Sequence, residues 1–131
     1  IRAGQWRKGG TYGGPLPRDY SINMNRKERR LALKSALATK ANDGELIVLD
    51  SLKLETPKTK EMVAVLNNLQ VTDKKVLVVV PEIEENLLFA ASNLQNVLLE
   101  EVSDMNVLDI VTSDYMVVTE DALKQIEEVL A

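Results

Sequence analysis

From Gly44 onward the chain alternates short aliphatic runs with stretches of helical spacing, and no other feature restricts its fold as tightly. The runs are ELIVLD (45–50), KVLVVV (75–80), VLLEEV (97–102) and YMVVT (115–119). The middle of the first two is unbroken aliphatic, the pattern of parallel strands covered on both faces. Thr56 reads as an N-cap with Pro57 at the first helical position, followed by Met62, Val65, Leu66 and Leu69 on one stripe. A second helix begins after Pro81, with Leu87, Ala91 and Leu94 on one side, and a short third starts at Asn106, where Asp109 completes a capping-box-like pair. The last starts at Thr119; Glu120 and Asp121 suit the positive end of its dipole, and Leu123, Ile126 and Leu130 form its stripe. Regular alternation with short links implies parallel strands, right-handed crossovers and helices on both sheet faces. The expected class is α/β.

Ahead of this unit, NMNRKERRLALKSALATKAND (23–43) predicts one more helix, with Asn25 as its cap and Asn42, Asp43 and Gly44 ending it. At 100° per residue, Arg26, Arg30, Lys34 and Lys27 fall within an arc of about 100°, so they make one basic stripe. Residues 1–24 behave differently. QWRKGGTYGGPLPRDY (5–20) gathers four of the six glycines, two of the four prolines, the only tryptophan and two of the three tyrosines, and leaves no repeat that a helix or ladder uses. The expectation is an extended arm over residues 1–24 and a globular domain over residues 25–131.

Charge divides the chain the same way. The formal net charge is −4, yet residues 1–40 hold ten basic side chains against Asp19 and Glu28, a net +8 that leaves −12 for the remainder. Because a protein's field is local and screened beyond about 8 Å, the first third is able to meet a polyanion while the acidic remainder faces elsewhere. At 131 residues one core is expected, and no apolar run approaches the ~20 residues of a membrane helix.

Several chemistries lack their residues. Without cysteine there are no disulfides, thiolate ligands or thiol nucleophiles, which fits a reducing compartment. Without histidine the usual general base and the commonest transition-metal ligand are absent, and Ser35 and Ser51 have no partner of that kind. After residue 14 the only glycine is Gly44, so neither phosphate-binding glycine loop is present. Asp50, Glu82, Glu101 and Glu120 fall near the carboxyl ends of the expected strands, where open parallel sheets bind ligands. They support an alternative reading, a free-standing α/β small-molecule or metal-binding domain. The leading expectation assigns no catalytic residue, no metal site and no cofactor.

RNA recognition combines phosphate contacts from Arg and Lys with stacking of bases on rings or guanidinium planes. Residues Arg2, Trp6, Arg7, Lys8, Tyr12 and Arg18 in the arm and Arg26, Lys27, Arg29, Arg30 and Lys34 in the helix supply both ingredients. Folding of Trp6 and Tyr12 onto the domain surface, or a local turn at Arg18, Asp19 and Tyr20, is the competing structural use of the arm.

The same residues carry a family likeness. IRAGQWRKGGTYGGPLPRDYS (1–21), RRLALKSALATK (29–40), GELIVLDSLKLETPKTKEMVAVLNNL (44–69), KVLVVVPEIEENLLFAASNLQNV (75–97) and MNVLDIVTSDYMVVTEDALKQIEEVLA (105–131) closely resemble the bacterial form of the large-subunit ribosomal protein four family. PRDYS (17–21), RRLALKSAL (29–37) and PKTKEMV (57–63) are the most specific pieces. The resemblance implies a three-layer sandwich around a four-stranded parallel sheet and a cytoplasmic, ribosome-associated protein with no enzymatic role. It implies large-subunit ribosomal RNA and neighbouring ribosomal proteins as partners and, in some members, the messenger leader of the protein's own operon. It makes residues 1–12 the returning limb of a basic loop that lines the peptide exit tunnel. It also implies a longer chain whose N-terminal segment and loop tip are missing here, and glycine and phenylalanine where this chain has Lys8 and Tyr12.

Overall fold

A computed structural model describes residues 1–131. Five helices and four strands follow in the order α1 (Arg26–Asn42), β1 (Leu46–Leu49), α2 (Thr59–Asn68), β2 (Val76–Val80), α3 (Glu85–Ser92), β3 (Val97–Glu101), α4 (Val107–Thr112), β4 (Tyr115–Thr119) and α5 (Glu120–Leu130). All strand pairs are parallel, and the sheet order is β1-β4-β2-β3.

Side-chain alternation on β2 divides the interior into two cores. Val76, Val78 and Val80 point to one face, where they join Met62 and Leu66 of α2 with Leu87 and Ala90 of α3. Leu77 and Val79 point to the other, with Ala36 of α1, Ile110 of α4, and Ala122, Ile126 and Leu130 of α5. The result is three layers, as continuous aliphatic strands require.

Three expectations need correction. Helix α2 begins at Thr59, behind an extended Lys58, and Thr56 caps nothing. Instead the Thr56 backbone N–H and hydroxyl both donate to the Glu61 carboxylate, so a side chain within the first turn captures the groups that a cap would have used. Helix α3 ends at Ser92, and Leu94 packs against the first core from the following turn. β1 is less covered than its sequence suggests: Val48 is 47% exposed because β1 is an edge strand, whereas all five residues of β2 are buried.

The C-terminal end of α1 is fixed tightly. Gly44 takes a left-handed φ of +71°, the Gly44 N–H donates to Ala41 O, and the Glu45 N–H to Lys40 O, the paired bonds of a Schellman turn. The chain then enters β1 directly.

Candidate nucleic-acid interface

Helix α1 is embedded at one end only. Residues 26–31 are all exposed, Ala32 and Leu33 are half-buried, and Ala36 and Lys40 are buried. The first turns therefore stand clear of the core and carry Arg26, Lys27, Arg29 and Arg30, with the exposed Lys34 one turn further on. The helix is started by Asn25, whose backbone N–H donates to Glu28 Oε2 at 3.3 Å, so the one acidic residue of this segment is turned toward the cap. Arg26, Arg30, Lys34 and Lys27 share one flank of α1. Arg29 lies about 60° to the other side of Arg26, where its Nη2 donates to Met24 O at 3.3 Å and, with Met24, Leu33 and Met105, it lines a groove beside α4.

Lys40 is the exception among the ten cations of residues 1–40. Its ammonium is buried and donates to Glu45 Oε2 at 2.5 Å and to the Ser113 carbonyl at 2.6 Å. It ties α1 to the entry of β1 and to the α4–β4 link, and adds nothing to the basic face. The other ion pair of the molecule joins Lys124 to Glu120, so none of the nine cations from Arg2 to Lys34 is paired with a carboxylate.

Residues 1–25 hold no helix or strand, and none of them enters either core. Within them, residues 2–10 close into a loop. The Trp6 N–H donates to Ala3 O at 3.0 Å and the Gly9 N–H to Trp6 O at 3.0 Å, making two successive turns that share Trp6; the Gly10 N–H then donates to Arg2 O at 3.1 Å. Two glycines are sterically required. A Cβ on Gly9 would lie 1.9 Å from Ala3 O, and one on Gly4 2.8 Å from Tyr12 Cβ. Lys8, third in its turn, has a φ of +59°, the region where a side chain costs roughly 1–2 kcal/mol and where glycine is at ease. That strain gives a physical reason for the glycine the family likeness implies at this position. Arg2, Trp6, Arg7 and Lys8 are all exposed on this loop, and Tyr12 is exposed just beyond it.

Further along, the Ser21 N–H donates to Asp19 Oδ1 at 2.9 Å, and this backbone bond holds the Asp19 carboxyl below its ordinary value. The Arg18 guanidinium carbon sits 4.2 Å from the centre of the Tyr20 ring, a cation–π contact. The backbone at Arg18–Tyr20 forms no turn, and Tyr20 is 74% exposed, so these local contacts do not dock the arm on either core.

Two of the four carboxylates at the strand ends are engaged otherwise. Glu120 pairs with Lys124 at 2.7 Å, and Glu101 Oε1 accepts the Ile83 N–H at 3.3 Å. Asp50 and Glu82 line a cleft of about 80 Å³ that also contains Lys53. No group of three or more acidic, histidine or cysteine side chains is arranged to hold a metal ion.

A different acidic pair escaped the sequence reading. Glu100 stands on β3 in register with Val79, and its Oε2 is buried without a partner. Burial first, then the neighbouring Asp109 carboxyl and the charge of Asp104, pushes the Glu100 carboxyl up to about 7. Tertiary folding brings Asp109 of α4 beside Glu100 of β3, and sequence spacing carries no sign of it.

Comparison with known proteins identifies the family. Residues 1–129 match the ribosomal protein L4/L1 family. Over all 131 residues the chain is 49% identical to the large ribosomal subunit protein uL4 of Brevibacillus brevis, 51% identical to that of Alkaliphilus oremlandii and 50% identical to that of Lactobacillus johnsonii. It spans 62–63% of the length of these relatives. With residues 1–129 matched and half of all positions identical to these proteins, the chain belongs to the ribosomal protein L4/L1 family.

Proposed function

We propose that this chain is a structural component of the large ribosomal subunit and that it binds ribosomal RNA through residues 1–34. The observation that carries the reading is the set of nine exposed cations from Arg2 to Lys34, none of them neutralised by a carboxylate of the same molecule. Each phosphate they neutralise releases counterions, whereas the acidic remainder is repelled by the same polyanion. The α/β unit fixes the C-terminal half of α1 and leaves its N-terminal half free to lie along an RNA backbone. The arm enters from the same end. The relatives' name, large ribosomal subunit protein, adds the assembly in which the RNA is found, together with neighbouring ribosomal proteins. In that assembly residues 1–12, which contain the closed loop, are the limb that reaches toward the exit tunnel.

Mobility-shift titration against large-subunit ribosomal RNA tests this. If about half of the nine cations meet phosphates, log affinity falls with log salt with a slope of roughly −3 to −4. Replacing Arg26, Arg29, Arg30 and Lys34 together by alanine, the best helix former, flattens the slope by up to about 3 without unwinding α1. Affinity that ignores salt, or survives that replacement, overturns the proposal.

A further inference from the structure

We infer that the closed loop Arg2–Gly10 is a preformed seat for an unpaired nucleobase, with Trp6 as the stacking face and Arg2, Arg7 and Lys8 taking the flanking phosphates. The inference rests on the RNA-binding reading above and specifies which form of RNA the arm takes.

Three observations lead to it. The sole tryptophan is 58% exposed, although burying a ring of this size is ordinarily among the most favourable uses of a side chain. It sits where two hydrogen-bonded turns meet, so its backbone is held on both sides, by Ala3 O and by the Gly9 N–H. The loop is also closed at its base by Gly10 and Arg2, and only glycine is tolerated at position 9. A wholly flexible tail would lose more conformational freedom on binding; a closed loop has already lost part of it.

Chemistry then selects the ligand. An indole face flanked by cations stacks on any base whose own face is open, and such stacking tolerates every sequence. A duplex has no open base faces along its length, so it offers the loop phosphates alone. An unpaired nucleotide offers both. The ring and the neighbouring charges of Arg7 and Lys8, which occupy the turn following Trp6, suit the second.

Trp6 is the chain's only tryptophan, so its fluorescence reports on this loop directly. The 131-residue chain is titrated with single-stranded oligoadenylate and with an RNA duplex of the same length, at matched salt. Fluorescence is expected to be quenched by the single strand and little changed by the duplex. Trp6→Ala, followed through a labelled oligonucleotide, weakens oligoadenylate binding about tenfold and leaves the duplex within about twofold, while Trp6→Phe retains most of the affinity. Gly9→Ala opens the loop and reproduces the Trp6→Ala loss with the thermal midpoint of the α/β unit unchanged. Unaltered fluorescence at saturating oligoadenylate, or equal losses for both RNAs in Trp6→Ala, overturns the inference while the salt-dependent binding assigned to α1 stands. Absence of salt-dependent binding to either RNA overturns both readings.

Discussion

Lys34 and Lys40 lie on the same helix and differ in what surrounds their ammonium groups. Lys40 follows Leu33, Ala36 and Leu37 at helical spacing, so its stem belongs to the buried stripe and its charge needs the Glu45 carboxylate and the Ser113 carbonyl as partners. Lys34 is exposed and unpaired. Lys40→Met preserves the stem but leaves both acceptors without their donor, and urea unfolding is expected to show a loss of about 2 kcal/mol, moderated because Glu45 retains access to water. RNA affinity in that variant stays within about twofold, since no phosphate contact is removed. Lys34→Met does the reverse. Glu100 gives a pH prediction. Its carboxyl is raised to about 7 in the fold from an ordinary value near 4.5, so the native state retains a proton that the unfolded chain has released. The contribution is complete below pH 4.5 and is lost as pH rises through 7. Stability from this residue falls between those limits by on the order of 1 kcal/mol, after discounting for the part of the side chain that water screens. Glu100→Gln, a neutral isostere, removes that slope, and urea midpoints measured at pH 5 and pH 8 check it (about the two limits of the titration).

At the scale of elements, what the sequence reveals depends on how local its determinants are. The Asn106 cap was legible because its partner is three residues away: the Asp109 N–H donates to Asn106 Oδ1 at 3.0 Å. β2 was legible from its five consecutive aliphatic residues, all buried. The start of α2 was misplaced because Thr56 has two possible uses, and Glu61, five residues on, decides between them. The edge position of β1 follows from a strand order that joins residues 46–49 to 116–119, beyond the reach of any local pattern. The basic stripe of α1 is legible from the 100° rotation per residue, and Lys40 lies outside it because its spacing from Leu33 and Ala36 puts it on the buried side. Closure of the Arg2–Gly10 loop could not be read, since glycines without periodicity do not say which carbonyl they approach. Gly44 offers an element-level test. No atom lies within 4 Å of a Cβ built there, so Gly44→Ala meets no clash, and its cost is that of the left-handed backbone alone. A loss of about 1 kcal/mol is expected by urea unfolding, localised by faster amide exchange at Glu45 as the turn between α1 and β1 loosens.

Across the whole molecule, packing and charge are separated along the chain. Every buried apolar side chain lies at or beyond Ala36, so the two cores owe nothing to residues 1–24. Those residues carry Arg2, Arg7, Lys8 and Arg18 against Asp19, and residues 25–131 alone have a net charge of −7. Deleting residues 1–24 therefore acts on binding and leaves folding nearly untouched. The thermal midpoint is expected to stay within about 2 °C, because no buried contact is lost and surface changes of this kind seldom exceed ~0.5 kcal/mol. RNA affinity falls much further, with up to four phosphate contacts gone and the salt slope reduced by about 3, while the more acidic remainder repels the same polyanion. Calorimetry and mobility-shift titration on one preparation separate the two effects. A large drop in the thermal midpoint would mean that the opening segment is part of the folded unit, and the cations of α1 would then have to be reconsidered as surface charge of a larger core. An unchanged midpoint with unchanged affinity would place the RNA contacts wholly on α1, from Arg26 to Lys34, and leave the closed loop with no part in binding.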